Sequence, residues 1–470
     1  MTAQTILPAN TLSSGFDVAN SARFESAQLL RTNSGSTATD IDKYTISVWL
    51  KRSKLGVDSN IIADTDGSNN YYQIYFKSDD TIRWQEYLGG SQSGALITNR
   101  KFRDVGAWYN LIFRYDSSLG TAGDRMRMYV NGVEETSFST DVNPDQNANG
   151  HFGEASSQKC IADNNADGRE YFGYMSEFMG VDGQSLAPDQ FGEFDGDSGI
   201  WKPIDISGIT QGVHGFYLKF EDSSDLGVAT LGSNWTGAGL AATDQSTDTC
   251  TNNFAVLNPL VYGTNYTWSE GNLQFVQTAT NWRTTYSSIA VTKGKWYMEF
   301  KGKVGAYYDI GVTDVVDPTN NLTVNSGCVA YKSNGEFAAG GAVGDGLPST
   351  ITTPASNTYT ANDIMGIALD MDNETVYFAK NGTYEVNSDP TSGASKTGGT
   401  DLPNSNSLYF FAFAAYKGSA ATGTAQVNFG GGSVDAISSG NADADGHGNF
   451  EFAVPSGYFA LCTKNLAEYG

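Results

Sequence analysis

Basic residues are scarce in this chain: 28 lysines and arginines face 52 acidic side chains over 470 residues, a formal net charge of −24. Such a surface repels phosphate backbones, which excludes DNA or RNA as a direct partner. Histidine is scarcer still. His151, His214 and His447 stand apart, with no second ligand at metal-like spacing, so zinc is not expected and each reads as a surface or turn residue. The cysteines, Cys160, Cys250, Cys328 and Cys462, are widely scattered without a CxxC. That spacing builds no disulfide framework, and they read as free, mostly buried thiols. No stretch approaches the roughly 18 uninterrupted apolar residues of a membrane helix, so membrane insertion is not expected. The opening "MTAQTILPANTLSSGFDVAN" lacks a basic segment followed by an apolar core, and no secretory leader is expected either.

What the chain has is aromatic residues, 12% of the total against 17% charged, together with 54 glycines. That balance fits packed β-structure with many turns. The length calls for two or three domains. Alternating runs follow one another: "YTISVWLK" (Tyr44–Lys51), "NYYQIYFK" (Asn70–Lys77) and "TIRWQEY" (Thr81–Tyr87) joined through Ser78-Asp79-Asp80, "WYNLIFRYD" (Trp108–Asp116) and "REYFGYMSEFMGV" (Arg169–Val181). Two pieces, "RMRMYVNG" (Arg125–Gly132) and "ETVYFAKNG" (Glu374–Gly382), run straight into Asn-Gly. This dipeptide tolerates positive φ at both central positions of a tight hairpin turn, so each piece is a hairpin's leading arm. Short strands, turn signals and no long amphipathic helix predict an all-β sandwich or barrel.

Taken in order, the T-I-S-x-W strand, "WYNLIFRYD", the "RMYVNG" hairpin and the closing "GYMSEFMGVDGQSLAPDQF" resemble the concanavalin A-like, laminin G-like jelly-roll family over roughly residues 20–200. "GKWYMEFKGK" (Gly294–Lys303), "YYDIGVTD" (Tyr307–Asp314), "DIMGIALDMDNETVYFAKNG" (Asp363–Gly382) and "AQVNFGG" (Ala425–Gly431) resemble the SPRY domain over residues 263–435. The resemblances imply two tandem antiparallel β-sandwiches, each with rim loops that bind glycans, Ca²⁺ or partner proteins. The expected organisation is an N-terminal segment (1–20), a jelly roll (21–220) completed by "GFYLKF" (Gly215–Phe220), a polar linker (221–262), a SPRY-like sandwich (263–435), and a tail (436–470) folded back on the second sandwich.

Glucanases of the first fold carry an E-x-D-x-x-E strand, which is absent here. "GEFDGD" (Gly192–Asp197) offers Glu193, Asp195 and Asp197 at spacing two, but in a glycine-rich segment that reads as a solvated acidic loop. No G-x-S-x-G elbow supports a serine nucleophile. "DNNADG" (Asp163–Gly168) places Asp163, Asn165 and Asp167 at alternate positions before a glycine, as the opening of a Ca²⁺-binding loop does. Asx-turns use the same residues without metal. "DTDG" (Asp64–Gly67) and "DADG" (Asp443–Gly446) are thinner versions. For stacking on sugar rings the candidates are Tyr71, Tyr72, Trp84, Tyr87, Trp282, Tyr307 and Tyr308, against the alternative that strand aromatics are core.

The serial modules resemble surface proteins of tailed phages, marine ones especially. The function expected is therefore a non-enzymatic virion surface protein, a tail fibre, knob or capsid decoration, assembled in the host cytoplasm. It would bind host-surface glycans or neighbouring virion proteins, with a homo-oligomer compatible and no cofactor required beyond Ca²⁺. A glucanase-like enzyme and a bacterial adhesin are the alternatives.

Overall fold

Both Asn-Gly dipeptides turn as their chemistry requires. Asn131 and Gly132 have φ of 48° and 73°, and Asn381 and Gly382 have 48° and 79°. A Cβ at Gly132 would lie 2.2 Å from the Trp201 ring, and one at Gly382 2.5 Å from Phe452. Glycine is therefore required there for close approach as well as for backbone freedom. In the computed structural model, strand Met126–Val130 returns as Val133–Glu135, and Thr375–Lys380 returns as Thr383–Tyr384. The structure describes residues 15–65, 69–163, 168–261, 265–304, 307–340, 349–351 (backbone), 357–420 and 422–470. The chain is almost entirely β and divides into two units, Met1–Asn252 and Asn253–Gly470.

In the first unit two antiparallel sheets face each other. The first sheet centres on Trp108–Asp116, Lys43–Arg52 and Gly173–Asp182. The second runs through Ser91–Thr98, Ile82–Leu88, Tyr71–Phe76, Ser59–Thr65, Gln158–Ile161 and Leu29–Asn33. Period-two alternation sends Ile46, Val48, Leu50, Met126, Met128 and Val130 inward from the first sheet, to meet Tyr72, Ile74, Ile82, Trp84 and Leu96 from the second. Strand Phe216–Leu218, from the "GFYLKF" run, pairs with Gly173–Asp182 in the first sheet.

Residues 221–252, expected as linker, belong to this sandwich. Thr236–Ala238 pairs with Leu29–Asn33, and Gln245–Ser246 pairs with Ser21–Phe24. Trp235 is buried in the core. Two carboxylates of the polar stretch reach buried cations on the outer side of the first sheet: Asp244 meets Arg23 at 3.0 Å and Asp248 meets Lys51 at 2.7 Å. Asp248 also accepts from Trp108 Nε1 at 3.1 Å. The remainder of that outer side lies under Phe191, Trp201 and Ile206. Residues outside the expected start are drawn in too, since Val18 is buried and its N–H donates to Thr251 Oγ1 at 3.0 Å.

The second unit repeats the plan. One sheet centres on Lys295–Val304 between Ile364–Asp370 and Gly423–Asn428. The other runs Arg283–Val291, Tyr409–Tyr416, Tyr307–Thr313, Cys328–Lys332, Phe337–Ala339 and Ser349–Ile351. Trp296, Met298 and Phe300 point into the core with Val376 and Phe378. Ala255, Val256 and Leu257, placed in the linker from sequence, are buried in the same core. The tail packs on the outer side of the first of these sheets. Phe450, Tyr458, Ala460 and Cys462 bury against Tyr297, Ala368 and Tyr377, and Phe459–Ala460 adds a parallel pairing to Lys295–Val304. Glu299 accepts the Glu451 and Phe452 N–H groups at 2.9 and 2.8 Å. A short helix, Thr463–Tyr469, closes the chain. All four cysteines are buried thiols, none in a disulfide among the described residues.

Candidate functional site

The outer face of the Tyr71–Phe76 and Ile82–Leu88 hairpin is polar and aromatic. Alternation puts Tyr71, Gln73 and Tyr75 outward on one strand and Arg83, Gln85 and Tyr87 outward on the next. The turn through Ser78–Asp80 sets a register in which Tyr71 opposes Tyr87, Gln73 opposes Gln85 and Tyr75 opposes Arg83. Opposed residues on one face touch. The Tyr71 and Tyr87 rings stack 4.6 Å apart at 10°, both half-buried. Gln85 Nε2 donates to Gln73 Oε1 at 3.1 Å, and Gln73 Nε2 to Asn60 Oδ1 at 3.3 Å. Arg169 donates to the same Gln73 oxygen at 2.8 Å and lies over the Tyr75 ring at 4.6 Å. Arg83 donates to Gln92 Oε1 at 3.1 Å. Burial and the neighbouring Tyr87 push the Tyr71 hydroxyl up to about 12, so it works as a neutral donor and acceptor. Gln73, Tyr75 and Gln85 are themselves buried, at 3%, 4% and 5% exposure. The side chains of this patch that reach solvent are therefore the half-buried Tyr71, Tyr87, Arg83 and Arg169, an aromatic edge beside guanidinium donors that can meet a sugar ring and its hydroxyls.

The inward side of the same strands holds a row that sequence reading missed. Lys159, Asp64, Tyr72 and Glu86 oppose one another across four strands. All four are buried, Asp64 and Glu86 at 0% exposure. Glu86 accepts from Tyr44 of the facing sheet, whose hydroxyl also accepts from Trp84 Nε1 at 3.2 Å. Lys159 Nζ stands 3.5 Å from Asp64. Desolvation pushes the Glu86 carboxyl up to about 8. The signal was present in sequence: Ile82-x-Trp84-x-Glu86 and Ile62-x-Asp64 each place a carboxylate at an inward step of an apolar alternation.

The stacking candidates therefore divide. Tyr72 and Trp84 are fully buried, and Tyr308 is 1% exposed, with its hydroxyl donating to Val304 O and Thr424 O at 2.7 Å each. These three are core residues, not sugar platforms, because they occupy inward positions. Tyr71 and Tyr87 come together. Tyr307, 57% exposed, stacks on Tyr416 at 5.9 Å, and Tyr416 on Trp282 at 5.6 Å. That second aromatic strip uses Tyr416, which the sequence reading did not name.

Asp163 is half-buried, and its backbone carbonyl accepts from Asn60 Nδ2 at 3.0 Å. Asn165 and Asp167 lie outside the described residues. Among the described residues no group of three or more His, Cys, Asp or Glu is placed to hold a metal ion. In "DADG", Asp443 accepts from Ala460 N and Asn465 Nδ2 at 2.9 and 2.8 Å, which pins the tail. His151 and His214 are buried, not surface residues. His151 pairs with Glu154, and the His214 ring lies 2.7 Å from Ser36 O. In "GEFDGD", Lys202 bonds Glu193 at 3.2 Å and Asp195 at 3.3 Å, and Asp195 accepts the Ser198 N–H at 2.9 Å.

With that geometry in hand, the comparisons take their place. A laminin G-like family model of the concanavalin A-like lectin/glucanase superfamily matches residues 24–182. The chain carries a concanavalin A-like domain. Solved structures similar to parts of it include the SPRY domain of human HERC1, at 14% identity over 38% of this chain and 99% of that one, with a TM-score of 0.29. A heptameric SAP-like pentraxin from Limulus polyphemus shares 16% identity over 37% of this chain and 82% of that one, TM-score 0.28. Domain 4 of an extracellular arabinanase from Geobacillus stearothermophilus, solved with arabinotriose, shares 17% identity over 34% and 67%, TM-score 0.26. No curated protein matches the chain. Among the described residues no helix is long and apolar enough to cross a membrane.

Proposed function

We propose that this chain is a non-enzymatic virion surface protein of a tailed phage, a tail fibre, knob or capsid decoration, that recognises host-surface glycans or holds neighbouring virion proteins. The observation that carries the recognition part is the outer hairpin face, with its half-buried Tyr71–Tyr87 stack and the arginines Arg83 and Arg169, set on a buried amide ladder. The binding reading is favoured over hydrolysis by where the carboxylates lie. Glycoside hydrolysis needs two of them flanking the scissile bond in a cleft. Asp64 and Glu86 stand two strands apart, roughly 9.6 Å by strand spacing, but inside the sandwich at 0% exposure. The outward residues of the hairpin's two strands, Tyr71, Gln73, Tyr75, Arg83, Gln85 and Tyr87, include no Asp or Glu. The virion part rests on the serial laminin G-like and SPRY-like motifs, and with it goes assembly in the host cytoplasm, with which a homo-oligomer is compatible. Ca²⁺ at Asp163, Asn165 and Asp167 belongs to the same proposal on sequence spacing.

Host polysaccharide incubated with the purified chain tests the recognition part. Retention on the polysaccharide without release of reducing ends is expected, and Tyr71→Ala with Tyr87→Ala should abolish it. Released reducing ends would make the chain an enzyme. Immunogold labelling of purified particles tests the location, and particles without label would end the virion assignment.

A further inference from the structure

The inward row of the first unit sets a buried amine beside a buried carboxyl carbon. Lys159 and Asp64 are directly opposed on the neighbouring strands Gln158–Ile161 and Ser59–Thr65, with side chains at 1% and 0% exposure. Opposed side chains on one face of a sheet lie within reach of each other. As an ion pair the two are poorly matched. Lys159 Nζ stands 3.5 Å from Asp64 Oδ2, and its hydrogen bond goes to Ser34 Oγ instead. Asp64 Oδ2 accepts the Gly153 N–H at 3.1 Å, while Oδ1 is buried with no hydrogen-bond partner among the described residues. A buried ion pair offsets its desolvation only with close geometry and hydrogen bonds to the remaining lone pairs. This pair falls short on both counts.

We infer that Lys159 and Asp64 join as an intramolecular amide, a covalent cross-link between the two strands. The step balances within the pair. The Lys159 ammonium gives one proton to the Asp64 carboxylate, and the freed Nζ lone pair attacks Cγ. The C–N bond forms, a second proton passes from nitrogen to Oδ1, and the Cγ–Oδ1 bond breaks to release water. Oδ2 remains as the amide carbonyl. An ammonium and a carboxylate become one neutral amide and one water, with no oxidant and no co-reactant.

The surroundings suit each part of that step. The Gly153 N–H sits on Oδ2, where negative charge develops as Nζ adds. Oδ1, the oxygen that leaves, is the one without a partner. Next in the row is Tyr72 and then Glu86. The Tyr72 hydroxyl and Glu86 Oε2 are likewise buried with no hydrogen-bond partner among the described residues. A hydroxyl beside the leaving oxygen can hand over its proton and take another from Glu86, whose carboxyl burial pushes up to about 8. Sheet register supplies the orientation that amine and acid lack in water. Condensation also removes both buried charges and their desolvation cost. Such a staple needs no oxidising compartment, unlike a disulfide.

Intact-mass measurement of the full chain in denaturant tests the bond. The chain should be one water lighter than its sequence, counted against Lys159→Arg, which has the same termini and a guanidinium that stays charged. Protease digestion should yield one branched fragment joining Asp64 to Lys159. Tyr72→Phe should leave a smaller cross-linked fraction in a chain that still melts cooperatively, an effect on mass that packing alone does not produce. A mass equal to the sequence would overturn the inference, whether or not the variants fold. So would a missing water that maps to a succinimide at an Asp-Gly step such as Asp182-Gly183, or a Lys159→Arg chain that lacks the water as well. An unchanged cross-linked fraction in Tyr72→Phe would overturn the proton path through that hydroxyl.

Discussion

Glu86 shows what a single buried carboxyl does to a sandwich. Its inward position follows from alternation after Trp84, and it is enclosed by Tyr72 on the neighbouring strand, Tyr44 of the facing sheet and the His151 backbone N–H. Desolvation raises it to about 8 from an ordinary 4.5. The folded state therefore keeps a proton that the unfolded chain releases between those values. The stability that this proton supports is complete below the unfolded value and is lost as pH rises through the folded one. One such group changes stability by about 1.4 kcal/mol per pH unit inside the window. Denaturant melts from pH 5 to 8 should show a decline, and Glu86→Gln, which keeps the acceptor for Tyr44, should make it shallower. A variant with the parent slope would show that Glu86 is already ionised in the fold. Glu177 and Asp309, both raised to about 7 by burial, act in the same direction. Trp296 is the apolar counterpart. It is fully buried, with Nε1 donating to Lys293 O at 2.7 Å, and Trp296→Ala should cost about 3–5 kcal/mol. An unchanged melting temperature would contradict its place in the core.

At the scale of elements, the instructive one is residues 244–252. Its composition, "DQSTDTCTN", reads as a loop because polar atoms normally go to water. Here they go to Arg23, Lys51 and Trp108 on the outer side of a sheet. Removing one partner of a buried ion pair leaves the other uncompensated, at about 3–5 kcal/mol. Asp248→Ala should therefore destabilise the first unit by that order, and Lys51→Met combined with it should recover much of the loss. If the single variant melts like the parent, the pair is not buried in solution. The strands and both hairpins were legible in sequence, because period-two alternation and turn chemistry are local, whereas Tyr71 and Tyr87 were named alongside the inward Tyr72 and Trp84 without being told apart. What was not legible is long-range: which polar segment pairs with which sheet edge, and that both sides of a strand can be buried, as Val376 and Tyr377 both are. The inward carboxylates at positions 64 and 86 were visible only as breaks in an apolar pattern. The sequence segment 163–167 carries its own test. If it holds Ca²⁺, chelation should lower stability by about 2.7 kcal/mol relative to metal at about 100 times its dissociation constant. Asp163→Asn with Asp167→Asn should remove that sensitivity, and a melt indifferent to EDTA from the outset leaves Asx-turns as the whole account.

At the scale of the whole chain, two cores of comparable size sit on either side of Asn252 and Asn253. Within the first unit Thr249 and Cys250 are buried, and within the second Phe254 and Leu257 are. A polar linker would be nicked first by a protease, whereas backbone held this way is protected until a unit opens. The same burial fixes where the chain can be divided. A fragment covering 1–252 keeps Trp235 in the core, the strand Gln245–Ser246 on its edge, and Asp244 and Asp248 on their cations. A fragment ending at 220 loses all four features and leaves a tryptophan-sized hole, a loss of about 3–5 kcal/mol on its own. That is a large part of the roughly 5–15 kcal/mol that holds a typical domain together. In the other unit, 253–470 keeps Ala255, Val256 and Leu257 in its core, whereas 263–470 gives them up. The expected outcome is a cooperative melt for 1–252 and for 253–470, with 1–220 and 263–470 aggregating or melting much lower. If 1–220 melts like 1–252, the polar segment is a passenger on the sandwich and the buried ion pairs contribute nothing to its stability.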